Sequence, residues 1–165
     1  MTIDPAILQG FILGENMKYD LKLLSASFYN KYPSDTYPNI LLKDLRPYIV
    51  IVVKIEDYNW AIPLRSHVKH NYCYRLKGSG KSSDSALDFT KAVIINASTD
   101  IEGEPVIDNN EYIDIDSSIE FIITKFRTFI ANYIKMCNDS EYNPYAFERI
   151  EKYSTLKYFK RLLIR

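Results

Sequence analysis

The chain holds only two cysteines, Cys73 and Cys137, and neither belongs to a C-x-x-C pair. A disulfide framework and a cysteine-rich zinc module are both excluded, so two buried free thiols in a reducing compartment are expected. Histidine is as scarce: His67 and His70 are the pair, too few for a zinc-ligand pattern even beside Cys73. No metal and no cofactor is expected. No apolar run approaches the ~20 residues of a membrane-spanning helix. Met1 to Met17 also lacks the basic stretch that opens a signal peptide. A cytoplasmic protein with no membrane partner is the expectation. Net charge is missing as well, since 21 Lys and Arg balance 21 Asp and Glu. Any affinity for a polyanion must therefore come from how charge is distributed.

That distribution is uneven. From Ile40 to Lys81 there are eight Lys or Arg against three acids, whereas Ala92 to Thr124 carries eight acids and no base. A basic face opposed by an acidic one suits a neutral protein that binds nucleic acid. The 165 residues, 47% hydrophobic and 25% charged, indicate one domain with a substantial core and argue against disorder.

The most informative stretch runs from Arg46 to Lys77. Tyr48 to Ile55 is β-branched almost throughout and apolar at successive positions, which predicts a central strand buried on both faces. Trp60 to Leu64 follows after a polar turn and completes a hairpin. Pro63 cannot donate to a ladder, so this second strand is expected to fray or lie at an edge. The chain then leaves the sheet carrying Arg65, Ser66, His67, Lys69 and His70 within six residues. A phosphoryl centre needs cations and donors against developing negative charge, plus groups that move a proton near neutral pH. Arg65 and Lys69 could supply the first, His67 or His70 the second, and Ser66 a nucleophile or a donor to phosphate. The same residues also suit an ordinary solvated loop. No G-x-S-x-G elbow surrounds Ser66, which argues against a serine hydrolase.

The order of these residues resembles a known family. Arg46, the aromatic-led strand from Tyr48 to Ile55, a turn, and then Trp60 with A-x-P-L-x-S ending at Ser66 are similar to the toxins of type III toxin–antitoxin systems. The nearest likeness is the CptN and TenpN branch of the ToxN/AbiQ family. The resemblance implies an endoribonuclease that processes a repetitive, pseudoknot-like antitoxin RNA and is inhibited by it in a closed toxin–RNA hetero-oligomer. It implies cellular or phage RNA as further substrates and a role in phage defence. It places Ser66 on the family's active-site serine and Arg46 on a basic position before the central strand. Two departures stand out: Val68 lies where family members carry a lysine, with Lys69 one position later, and Arg65 replaces a threonine. His67 and Lys69 therefore compete for proton transfer.

The expected fold is α+β, a compact and strongly curved antiparallel sheet with packed helices and a helical C-terminal third, and the resemblance implies a barrel-like sheet related to the Kid/MazF toxins. Residues 1–16 read as an N-terminal extension with weak helix, interrupted at Gly10 and Gly14, ahead of a single domain. MKYDLKLLS from Met17 reads as a first strand and Ser25 to Tyr32 as a short helix. Gly78 to Ser85 lacks phosphate-loop spacing and reads as a flexible loop. Leu87 to Ala97, Pro105 to Ile107 and Tyr112 to Ile115 read as strands. Ser117 with Glu120 forms a capping box opening a helix to Cys137, and Asn143 with Pro144 opens a last helix running to the C-terminus. Aromatics beside basic residues suit single-stranded RNA, so Tyr29, Lys31, Lys43, His70, Lys77 and Lys81 are candidate RNA contacts. A noncatalytic RNA-binding module is the alternative function. An interaction protein using the acidic turns is a third, which leaves the Arg65 to His70 cluster unexplained.

Overall fold

A computed structural model describes residues 18–42, 48–77 and 85–164. Within these residues seven strands build one antiparallel sheet: β1 (Asp20–Leu24), β2 (Ile49–Ile55), β3 (Tyr58–Arg65), β4 (Cys73–Arg75), β5 (Ala86–Asp88), β6 (Val93–Ile95) and β7 (Ile101–Glu102). They run in the order β4-β5-β3-β2-β1-β7, and β6 pairs with β3 off this path. Among the described residues four helices accompany them, α1 (Ala26–Lys31), α2 (Asn109–Asn138), α3 (Pro144–Tyr153) and α4 (Lys160–Leu163). The architecture is α+β with a largely helical C-terminal part.

The sheet does not close into a barrel, contrary to the expectation. Its outer strands β4 and β7 are three and two residues long and share no ladder. Closure requires paired edges with a consistent stagger, which such short edges cannot provide.

The central hairpin forms as its sequence predicts. β2 and β3 pair from Val50 with Pro63 to Ile55 with Tyr58, and Glu56 in the turn takes φ +52°. Val50, Val52 and Val53 are completely buried, as expected of a strand covered on both faces. Pro63 does not mark a frayed edge: it lies inside β3 opposite Val50. On its far side β3 pairs with β6 over Asn59–Ala61 and with β5 over Leu64–Arg65. The proline therefore falls in the gap where one partner gives way to the next.

Aromatic rings knit the helices to this hairpin. Trp60 meets Phe126 of α2 edge-on at 5.3 Å and Phe159 at 6.1 Å, and Tyr32 next to α1 lies 5.9 Å from Phe159. Each such pair adds about 0.5–1.5 kcal/mol beyond area burial.

Several predicted elements differ from those observed. The expected strand over Leu87 to Ala97 breaks into β5, a 3-10 turn over Phe89–Lys91, and β6. The cause is Asp88, whose carboxylate accepts from the Thr90 backbone N–H and so caps the turn. Pro105 to Ile107 is not a strand, and Tyr112 to Ile115 is helical, because α2 starts at Asn109. Its N-cap is Asp108, which accepts from the N–H groups of Asn110 and Glu111. Ser117 instead donates back to the Ile113 and Asp114 carbonyls from within the helix. Finally, the helix opened by Asn143 and Pro144, α3, stops at Tyr153 rather than running to the C-terminus. Thr155 is drawn onto the Thr90 carbonyl through its N–H, at 2.9 Å, and through its hydroxyl. The helix predicted in residues 1–16 and most of the loop from Gly78 lie outside the described residues. Among the described residues no helix is long and apolar enough to cross a membrane.

Candidate functional site

β3 ends at Arg65, and residues 66–72 return the chain to β4. His67 takes φ +60°, a left-handed conformation in which histidine is among the better tolerated residues. The turn this creates lets Val68 point inward, where it is buried with Cys73 and Ala86. Arg75 then clamps the loop with both arms of its guanidinium, donating to the Val68 carbonyl at 2.8 Å and the His70 carbonyl at 2.8 Å. From the far side Lys125 of α2 donates to the Cys73 carbonyl at 2.8 Å, and the Phe89 N–H donates to the Tyr72 carbonyl at 3.1 Å. Thus tied, the loop holds Ser66, His67 and Lys69 exposed to solvent while His70 turns half inward.

His70 turns towards Asp88. This carboxylate is completely buried and is the hub of the site. Arg65 Nη1 lies 2.5 Å from its Oδ2, and His70 Nε2 lies 3.2 Å from Oδ1. Thr90 donates twice to Oδ1, from its hydroxyl at 2.6 Å and its N–H at 3.0 Å. His70 Nδ1 accepts from the Tyr72 N–H at 3.1 Å, so the neutral ring carries its proton on Nε2, facing Asp88. Both ring nitrogens are occupied. Burial alone would raise the Asp88 pKa, but the bonds from His70 and Thr90 and the Arg65 contact outweigh it, and the group is held below the usual carboxylate range.

Lys91 completes the cluster. Its Nζ donates to the Tyr153 carbonyl at 2.7 Å. Burial and then the nearby positive charge of Arg65 push its pKa below the ordinary lysine value, partly offset by Asp88. Cations thus crowd around a single carboxylate. Arg65 keeps 28% of its side chain exposed and has donors beyond the one on Asp88. A surface of this kind favours an anion, which would relieve the repulsion among the cations.

The sequence-predicted residues divide into groups. Arg65, Ser66, His67, Lys69 and His70 are together on one strand end and its loop. Lys77 follows β4, where its N–H donates to Asp114 at 2.6 Å. Tyr29 and Lys31 belong to α1 and are engaged in holding it. The Tyr29 ring is half-buried against Phe28, its hydroxyl donates to the Leu41 carbonyl at 2.9 Å, and burial pushes its pKa up to about 12 against a hydrogen bond from the Tyr48 backbone. Lys31 pairs with the buried Asp100 at 2.6 Å. Arg46, Lys43 and Lys81 lie outside the described residues. Asp88, Thr90, Lys91 and Arg75 escaped the sequence reading. The signal for the first three was a lone acid in an apolar run, two residues before a threonine, which is an Asx-turn pattern.

Compared with known proteins, the chain matches no family model, no curated protein and no solved structure. What the fold and site define is therefore an α+β protein with an open antiparallel sheet, bearing a cationic cluster around a buried carboxylate.

Proposed function

We propose that the protein is a metal-independent endoribonuclease, the toxin of a type III toxin–antitoxin system. One observation supports the reading best. An exposed hydroxyl, imidazole and ammonium, from Ser66, His67 and Lys69, follow directly on a guanidinium that a buried carboxylate fixes in place. In the reaction an RNA 2′-hydroxyl attacks the adjacent phosphate, the 5′-oxygen leaves, and the products carry a 2′,3′-cyclic phosphate and a 5′-hydroxyl. No protein nucleophile takes part. Ser66 donates to a nonbridging oxygen, Arg65 offsets the charge that develops there, and His67 or Lys69 takes up and returns the proton. His70, with both nitrogens engaged, positions Asp88 and through it Arg65. The partner is a repeat antitoxin RNA that the enzyme processes and that then inhibits it, with cellular or phage transcripts as further substrates.

The test is incubation of the full chain with single-stranded RNA in EDTA. RNA is cut and bears cyclic-phosphate ends, while DNA of the same sequence, lacking the 2′-hydroxyl, survives. Cutting that requires a divalent cation overturns the mechanism. Binding without cutting by folded protein supports a noncatalytic RNA-binding module instead.

A further inference from the structure

Three clefts join across one face of the molecule. The first, about 370 Å³, is lined by Asn71, Arg75, Lys77, Phe121 and Lys125 among others. The second, about 230 Å³, lies between α2, α3 and the loop before β4, and shares Asn71 and Lys125 with the first. The third, about 90 Å³, shares Tyr72 and Ile150 with the second and reaches His70 and Thr90, at the edge of the Asp88 cluster. A continuous groove thus leads from the edge strand β4 to the candidate site. Its charged lining residues are Arg75, Lys77, Lys125 and Arg149, with no Asp or Glu among the described lining residues. In a chain of zero net charge this is a segregated face for a polyanion.

The middle cleft has a different character. Tyr72, 38% exposed, stands at its mouth, its ring tilted against Phe129 at 5.5 Å and 6.0 Å from the His70 ring. Phe89, Met136 and Ile150 are buried around it. At the rim are the side-chain amides of Asn71 and Asn132, both exposed and both without a hydrogen bond among the described residues. The volume is below the ~300–1,000 Å³ of pockets for drug-sized ligands and suits one planar group. An apolar slot with an aromatic wall, unengaged carboxamides at its lip and cations on either side combines stacking, edge recognition and backbone attraction. Past the cleft, α3 continues the pattern with Tyr145, 71% exposed, and Arg149 5.9 Å over its ring.

We infer that the cleft between α2 and α3 receives one unstacked base of a single-stranded RNA, whose backbone follows the groove past Lys125 towards Arg65. This rests on the RNA reading above and extends it to the base that flanks the reacting phosphate. Tyr72 stacks on the base, and Asn132 and Asn71 read its edge.

The experiment measures binding of the full chain to 2′-fluoro oligomers of each of the four bases, which cannot undergo self-cleavage, by fluorescence anisotropy. The wild type prefers one base. Tyr72→Leu weakens that oligomer about tenfold, and Asn132→Ala, at an exposed helical position where alanine favours folding, lowers the preference among bases about as much. Tyr112→Leu, in the separate cleft beside Asp20 and Asp116, changes neither. If Tyr72→Leu and Asn132→Ala, folded by circular dichroism, bind all four oligomers as the wild type does, the inference is overturned even when the wild type cuts RNA. A wild type that binds no oligomer overturns it together with the RNA reading. Loss of preference in the variants of a protein that cuts nothing leaves the cleft as assigned and removes the nuclease.

Discussion

Arg65 closes on Asp88 at 2.5 Å while His70 approaches the same carboxylate at 3.2 Å, so a strand end and the loop it feeds are locked to one buried charge. Removing that charge leaves two buried Thr90 donors and a partly exposed guanidinium without their acceptor. Asp88→Ala is therefore expected to cost about 3–5 kcal/mol, the range for breaking a buried pair from one side. Urea unfolding measures it, and a loss below about 1 kcal/mol would mean that Asp88 does not organise the site.

The same carboxylate sets an acid limit. Its folded pKa is depressed, since the bonds from His70, Thr90 and Arg65 outweigh the upward push of burial. A depressed acid contributes stability that is fully present above its unfolded pKa, about 3.9, and is lost as pH falls through the lower folded value. The wild type is expected to exceed Asp88→Asn in stability near neutral pH, with the gap narrowing below about pH 4. A gap unchanged between neutral and strongly acid solution would contradict the assignment.

Asn59 carries the opposite lesson. It is completely buried in β3 between Lys54 and Ile95, and its side-chain amide has no hydrogen-bond partner among the described residues. An unpaired buried amide costs about 1–3 kcal/mol, and valine is close to it in size and better suited to a strand. Asn59→Val should raise stability by about 1 kcal/mol in chemical unfolding. A destabilised variant would show that the amide is satisfied after all.

The central hairpin was legible because β2 is apolar at successive positions, and a strand covered on both faces needs that pattern. The helix α1 was legible from Ser25, whose hydroxyl accepts from the Phe28 N–H at 3.2 Å as an N-cap should. The start of α2 was not. Tyr112 to Ile115 alternates like a strand, and the deciding feature is the Asp108 cap upstream of an acidic turn. Half of the site was visible in the same way: Arg65 to His70 are consecutive, and their chemistry can be read from composition. Asp88 was hidden because its role depends on β5 pairing with β3, which brings Ala86 opposite Arg65. Sequence spacing carries no sign of that contact. Closure of the sheet was equally illegible, since it depends on the lengths of the edge strands.

Ser66 separates chemistry from folding. Its side chain is exposed and makes no hydrogen bond among the described residues, so Ser66→Ala should leave stability within about 0.5 kcal/mol. Loss of one donor to a developing phosphorane is expected to slow RNA cutting about 10²–10³-fold. Rates on a defined oligomer, with unfolding curves in parallel, check both halves. Undiminished cutting, or undiminished toxicity in cells, removes Ser66 from the reaction.

His67 and Lys69 are distinguished by substitutions that respect the backbone. The left-handed φ of His67 disfavours a β-branched replacement but accepts asparagine, which adopts this region readily. His67→Asn should therefore keep the fold within about 0.5 kcal/mol. Asparagine cannot shuttle a proton, so if His67 is the proton-transfer group, cutting falls about 10²–10⁴-fold. Lys69→Gln makes the complementary test at an exposed position. If Lys69→Gln produces the larger fall while His67→Asn cuts at close to the wild-type rate, the lysine moves the proton. If both variants cut as well as the wild type, neither does, and Lys91, whose pKa is lowered by burial and by the charge of Arg65, becomes the base to replace next.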